Sequence, residues 1–262
     1  MAGRSMPAEA GAGKLRAPGT AAAPRGRERE ARGGRRTVLG WTIWWSKGTG
    51  AWAPQLCLEE AGVAYERVEV DTRAGAQHTP GYRALNPLGQ IPALGLPDGT
   101  VITESAAMVL HLADCFPQAG LLPEPGTPAR AVALRWLLFG ATQIYPAALR
   151  YWYADRYTKD PAGVAAVKEA ALAEFDRDLA ILDQALDPGP WILRDRFSAV
   201  DYYLFMLALW HPGRRATLER HPRLGRLMRL VRKRPAVERI WAQHYPIEGG
   251  HPWSTWTGSS GS

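Results

Sequence analysis

Apolar and polar positions change rhythm twice along this chain. Residues 37–45 (TVLGWTIWW) are β-branched and aromatic almost throughout, as a buried strand requires, and 46–53 follow as a Gly-rich turn. A helix is predicted next: Pro54 suits a first turn, Leu56 and Cys57 sit among apolar neighbours, and Gly62 is placed to stop it. Residues 63–71 (VAYERVEVD) alternate apolar and charged, the period of a second strand. Residues 91–96 and 100–103 flank Pro-Asp-Gly at 97–99, which predicts a hairpin, and 104–114 carry Val109, Leu110 and Leu112 on a helix. Beyond this small α/β unit, strand-type sequence stops.

The rest is predicted helical. Thr127-Pro128 and Asp160-Pro161 each pair a capping side chain with a first-turn proline, opening helices of about 26 and 25 residues by pattern, the first kinked at Pro146. Ser198-x-x-Asp201 has capping-box spacing ahead of an apolar helix to Trp210, and further helices open near Pro222 and Pro235. No internal repeat of about 20 to 50 residues is visible. The expected organisation is a disordered basic tail over 1–36, an α/β domain over 37–115, a linker over 116–126, a helical domain over 127–246 and a mobile stretch over 247–262.

Composition narrows the function classes. With 46% hydrophobic and 22% charged residues, the chain of 262 residues is neither disordered throughout nor membrane-spanning. No apolar run approaches the roughly 18 residues of a spanning helix and no secretory h-region opens it, so the expected location is the cytoplasm and no membrane partner is expected. Eight Arg and one Lys against three Glu in residues 1–36 account for +6 of the net +7, so the predicted folded part is close to neutral. That tail lacks the aromatic interleaving of a base-stacking surface and reads as a solvated extension rather than a nucleic-acid binder. Two cysteines, Cys57 and Cys115, fit neither a disulfide framework nor a zinc site, the six histidines have no ligand spacing, and no metal is expected.

The most informative stretch is residues 85–114, LNPLGQIPALGLPDGTVITESAAMVLHLAD. Proline cannot donate to a sheet ladder, so Ile91-Pro92 at the mouth of a strand suggests a cis bond, with the N–H and C=O of Ile91 turned outward to pair with an extended peptide. Glu104-Ser105 adds an acceptor, a hydroxyl and helix N-terminal N–H groups, a set suited to an amino-acid head carrying both its charges.

Together with NPLGQIPAL at 86–94, DGTVITESAA at 98–107, FSAVDYYL at 197–204 and RPAVERIW at 234–241, the chain resembles the soluble glutathione transferases, most closely the bacterial ones, over about residues 37–246. The resemblance implies a thioredoxin-like N-terminal domain followed by an all-helical C-terminal domain, a homodimer, and glutathione as co-substrate, with a small electrophile met by the helical domain. By the same resemblance Ile91 at Pro92, with Glu104 and Ser105, binds the peptide, Gln90 reaches it, and Ser198 and Asp201 cap a structural helix.

The chain departs from the family's pattern where the catalytic residue normally stands. In WTIWWSKGTGAWAPQLCLEEAG no tyrosine is present; Trp41 stands near the tyrosine-type position, Gly48 at the serine-type and Gly50 at the cysteine-type. Thr49 is the expected thiolate donor, with Ser46 or the backbone N–H of Gly50 or Ala51 as alternatives, and Cys57 reads as a core thiol. A thiol of ordinary pKa about 8.5 is only a few per cent ionised at pH 7, and each unit of depression raises thiolate about tenfold, within reach of one hydrogen bond and a helix dipole.

The expected substrate pocket draws on Trp45, Tyr145 and Trp152, from a wider set of Trp44, Trp136, Tyr153 and Tyr157 of which most belong to the core. Arg150 and Arg156 are candidates for an anionic group on the electrophile. The function expected is an enzyme that activates the glutathione thiol; the alternative is a non-catalytic member of the fold that binds partners or apolar ligands.

Overall fold

A computed structural model describes residues 40–245; the two tails expected at 1–36 and 247–262 lie outside the described residues. Four strands form one sheet in the order β2-β1-β3-β4. β1 (Trp41–Trp45) runs parallel to β2 (Tyr65–Glu69) and antiparallel to β3 (Ala93–Gly95), which pairs antiparallel with β4 (Val101–Ile102). α1 (Trp52–Ala61) makes the crossover between β1 and β2, and Gly62 ends it in the left-handed region at φ 66°, its N–H on the Leu58 and Glu59 carbonyls. α2 (Pro80–Arg83) was not expected: four residues are too few to show a period, although Thr79 caps the turn by accepting from Tyr82 N–H. α3 (Ser105–Cys115) closes a thioredoxin-like unit.

Among the described residues the remaining elements are helical, chiefly α4 (Pro128–Phe139), α5 (Tyr145–Trp152), α6 (Val164–Ala185), α7 (Ala199–Leu209), α8 (Arg214–Arg220), α9 (Pro222–Arg232) and α10 (Pro235–His244). Every residue of α7 is buried, and a helix apolar all round belongs at the centre of its bundle. Its start is set as the spacing predicts: Asp201 Oδ2 accepts from Ser198 N–H at 2.8 Å, and Oδ1 accepts from Ile192 N–H at 2.8 Å. The helix opened at Pro128 is not simply kinked at Pro146. It widens into one π-turn over Gly140–Ile144 and runs on with helical backbone into α5, whose second residue is Pro146, so the proline's missing N–H falls directly after the widened turn. Gly140 sits where a Cβ would meet the Tyr203 ring at 3.1 Å and Leu207 at 3.2 Å, so α4 crosses α7 closely just there.

Two sets of side chains lock the halves together around α1. Trp52, fully buried in its first turn, packs on Phe205, Trp241, His244 and Tyr245 with ring centroids 5.1–5.9 Å away. At the other end Glu60 takes an ion pair from Arg234 and accepts from the Tyr202 hydroxyl at 2.6 Å, while Glu59 pairs with Arg239 at 2.8 Å. The RPAVERIW segment supplies both arginines, so its charges hold the two halves in register.

Candidate functional site

The strand β3 begins only at Ala93, and the Ile91–Pro92 bond ahead of it is cis. The turn that leads into it is tied down at a single oxygen: the Gln90 carbonyl accepts from Tyr82 Oη at 2.8 Å and from Asn86 Nδ2 at 2.7 Å. Asn86 also accepts from Leu88 N–H at 3.1 Å, which explains why NPLGQIP holds one shape. Neither the N–H nor the C=O of Ile91 has a hydrogen-bond partner among the described residues.

Ile91 faces two adjoining cavities, which share Gln90, Ile91, Tyr145 and Leu149. The larger, about 400 Å³, reaches from Gly48, Thr49 and Gly50 past Thr72, Arg73 and His78 to α5. The smaller, about 180 Å³, extends from Pro92 to Glu104, Ser105 and Pro146. A cleft of this combined size between two packed halves is ordinary for a small-molecule site.

Charge is distributed along it. Arg73 and Arg156 border the larger cavity, with the His78 imidazole beside them, and Glu104 borders the smaller. Glu104 holds φ 64°, a conformation that costs a non-glycine residue about 1–3 kcal/mol and recurs at functional sites. Ser105, the first residue of α3, is buried, and its Oγ lies 3.1 Å from the Tyr203 hydroxyl. Burial pushes the Tyr203 phenol well above its ordinary range, so it stays protonated.

The expected loop residues meet different fates. Thr49 lines the larger cavity, but its hydroxyl donates to the Ser46 carbonyl at 2.8 Å. Ser46 is buried, with its Oγ on Thr72 Oγ1 at 3.2 Å, and lines neither cavity. The N–H of Gly50 has no partner among the described residues, and that of Ala51 makes a long contact to Thr49 Oγ1 at 3.4 Å. Cys57 is fully buried, and burial drives its thiol far above the ordinary range, as a core thiol should behave.

Of the aromatics expected at the pocket, Tyr145, Trp152 and Tyr153 line the larger cavity. Trp45 does not: period-two alternation puts it on the Ile43 face of β1, where it packs on His244 with ring centroids 4.9 Å apart. Trp136 is buried beside Phe139, and neither Trp44 nor Tyr157 lines a cavity. Arg150 is ion-paired with Glu174, whereas Arg156 lines the cavity with its guanidinium 4.0 Å from the Tyr153 ring centroid. The sequence reading missed Arg73 and His78 in the cleft wall, Tyr203 behind Ser105, and Trp210, whose ring meets Tyr145 edge-on at 4.9 Å. An exposed basic residue after a strand carries no pattern, and Tyr203 and Trp210 lie in an apolar helix run that reads only as core.

Among the described residues no group of three or more His, Cys, Asp or Glu is placed to hold a metal ion, and no helix is long and apolar enough to cross a membrane. Residues 51–115 match the glutathione S-transferase N-terminal domain and residues 165–229 the C-terminal domain. The chain is 28% identical over 197 residues to glutathione S-transferase GstA of Escherichia coli O157:H7, covering 75% of this chain and 94% of that one. It is 30% identical over 186 residues to glutathione S-transferase 3 of Zea mays, covering 70% and 79%. A crystal structure of a Sulfitobacter glutathione transferase homologue with bound glutathione superposes with a TM-score of 0.73 at 27% identity, over 78% of this chain and 98% of that one. Fold, domain matches and relatives agree: the chain belongs to the glutathione S-transferase family.

Proposed function

We propose that this protein binds glutathione in the cleft beside Pro92, ionises its thiol at residues 48–51, and directs the thiolate at a small, apolar or aromatic electrophile held against α5. The observation that carries this reading is the unpartnered N–H and C=O of Ile91, presented to both cavities by a turn that Asn86 and Tyr82 hold rigid. Backbone pairing there gives an extended peptide a register, and the charges along the cleft match the remainder. The γ-glutamyl carboxylate falls at Ser105 and the N-terminal N–H groups of α3, its ammonium at Glu104, and the glycyl carboxylate toward Arg73 and His78. Gln90 lies at the shared wall, in reach of the peptide from either side.

With the tripeptide so placed, the cysteinyl sulfur lies by the loop before α1, and the electrophile fills the part of the larger cavity lined by Leu149, Trp152 and Tyr153. In a conjugation the thiol proton leaves to solvent, sulfur attacks the electrophilic carbon, and the leaving group departs with the bonding pair. Alignment and hydrogen bonding to the developing thiolate do the work, with no metal required. Glutathione transferases usually act as dimers, and we propose a homodimer here as well.

Calorimetric titration of glutathione near pH 7, in two buffers of different ionisation enthalpy, tests the reading. Binding with close to one proton released is expected. Binding without proton release removes thiol activation and favours a holding site; no binding favours a non-catalytic member of the fold.

A further inference from the structure

We infer that Tyr145, from the helical half, supplies the hydroxyl that donates to the bound thiolate, in place of the residue the loop before α1 lacks. The inference rests on the reading that glutathione occupies this cleft. Its starting point is Gly50. A Cβ built there would lie 2.7 Å from the Tyr145 hydroxyl oxygen, 3.3 Å from Pro92 Cδ and 3.5 Å from the Ile91 carbonyl oxygen. The phenol therefore occupies the space that a side chain at the loop would fill, next to the backbone group that pairs with the peptide. Glycine at this position is what admits it.

Three further observations make the hydroxyl available. Tyr145 lines both cavities, so it stands where the peptide end and the electrophile end meet. Its oxygen has no hydrogen-bond partner among the described residues, yet it is not a sealed, unsatisfied group. The ring itself is fixed, edge-on to Trp210 at 4.9 Å and 89°, while the Trp210 carbonyl is held by Trp152 Nε1 at 2.8 Å. Burial, with smaller contributions from Tyr203, Tyr153 and Glu104, pushes the phenol far above its ordinary range, so it remains a donor at neutral pH.

The backbone explains how a helix residue comes to point there. One extra residue in the π-turn at Gly140–Ile144 rotates everything after it by about 100° relative to an uninterrupted helix. Tyr145 is the first residue past that turn. The competing hydroxyls are otherwise engaged, the Thr49 proton on the Ser46 carbonyl and Ser46 Oγ on Thr72, which leaves the Gly50 N–H as the one rival donor at the loop that is unpartnered among the described residues.

Tyr145→Phe keeps the ring and its contact with Trp210 and removes only the hydroxyl. The test compares wild type, Tyr145→Phe, Thr49→Ala and Gly50→Ala by calorimetric binding of glutathione. The bound-thiol pKa follows from ultraviolet thiolate absorbance, and the pH profile of kcat/KM is taken with chlorodinitrobenzene. Tyr145→Phe is expected to retain glutathione binding while the bound-thiol pKa rises by about one unit or more, so that the acid limb of the pH profile moves up by the same amount and binding near pH 7 releases less than a full proton. Gly50→Ala, which displaces the same hydroxyl, is expected to shift the pKa in the same direction, and the double variant Tyr145→Phe with Gly50→Ala, measured alongside, to add little to either single one. A wild-type thiol pKa in Tyr145→Phe, additive effects in the double variant, or a loss seen in Thr49→Ala instead overturns the inference and leaves the glutathione reading intact. A wild-type protein that fails to bind glutathione overturns both.

Discussion

Ser105 Oγ and the Tyr203 hydroxyl lie 3.1 Å apart in the interior, joining the first residue of α3 to the middle of the central helix α7. A serine hydroxyl has one proton and two lone pairs. With the Tyr203 phenol held protonated, Ser105 can accept from it and turn its own proton to a carboxylate in the smaller cavity. With glutathione bound as proposed, Tyr203 would position Ser105 for a group that Tyr203 itself does not touch.

Ser105→Ala is expected to weaken glutathione binding by about 1.5–3 kcal/mol, the range for a hydrogen bond to a charged group. Tyr203→Phe should cost less, about 0.5–1.5 kcal/mol, because Ser105 keeps its proton but loses its orientation. Calorimetry on both variants and the double one decides. If Tyr203→Phe weakens binding equally whether or not Ser105 is present, Tyr203 does not act through it.

The ionic tie between α1 and α10 makes a stability prediction. Arg234 pairs with Glu60, donates from Nε to the Tyr202 hydroxyl at 2.8 Å and lies 3.5 Å from the Phe197 ring centroid, about three-quarters buried. Glu60→Gln leaves that guanidinium without its counter-charge, at a cost of about 1–3 kcal/mol in urea unfolding. Removing the arginine as well should add little, since the two act as a pair. Additive losses would mean that each residue contributes through separate contacts.

Much of this arrangement is legible in the residues themselves. Proline and glycine punctuation placed the end of α1 at Gly62, the hairpin at 97–99 and the openings of the helices at Pro128, Pro222 and Pro235, because each acts through its own backbone. Ser198 and Asp201 are three residues apart and find each other locally. What stayed hidden is what long-range packing decides. Trp45 and Trp44 are adjacent, and only the sheet's register says which faces the core. Tyr145 was legible as a pocket aromatic, but its approach to Gly50 depends on a π-turn that has no helical period of its own and on a helix crossing at Gly140. Thr49 reads as a free loop hydroxyl until the turn hands its proton to Ser46.

His244 gives the chain a pH dependence on the acid side. It is fully buried between Trp45 and Trp52, its Nε2 donates to Gln55 Oε1 at 2.7 Å, and Nδ1 has no partner among the described residues. Burial, then the charges of Arg67 and Lys47, push its pKa down to about 3. The unfolded chain takes up this proton near pH 6.5, whereas the folded protein refuses it until far lower pH. The stability is therefore fully present above about 6.5 and is lost as pH falls, at up to about 1.4 kcal/mol per unit. His211, also lowered chiefly by burial, acts in the same direction, so the measurement is a difference. Between pH 7 and pH 5 the unfolding free energy from urea titrations should fall more for wild type than for His244→Gln, by about 2 kcal/mol between the two proteins. Parallel declines would assign the acid sensitivity elsewhere.

Arg156 bears on which electrophiles the cleft prefers. It borders the larger cavity beside Trp152 and Tyr153, exposed at its rim, with its guanidinium resting on the Tyr153 ring at 4.0 Å. Arg150, the other arginine on this stretch, is occupied by Glu174 and lies outside the cavity walls. An aromatic electrophile carrying a carboxylate should thus gain over its neutral isostere, but only modestly, because an exposed ion pair contributes about 0.2–1 kcal/mol and is screened by salt. The expected preference is about 1.4-fold to fivefold in kcat/KM at low ionic strength, shrinking as salt is added. Arg156→Leu should erase that preference while leaving turnover of the neutral compound near wild type, since the ring of Tyr153 still forms the wall. Equal losses on both compounds would show that Arg156 shapes the cavity through its stem and its stacking on Tyr153, and that its charge selects nothing.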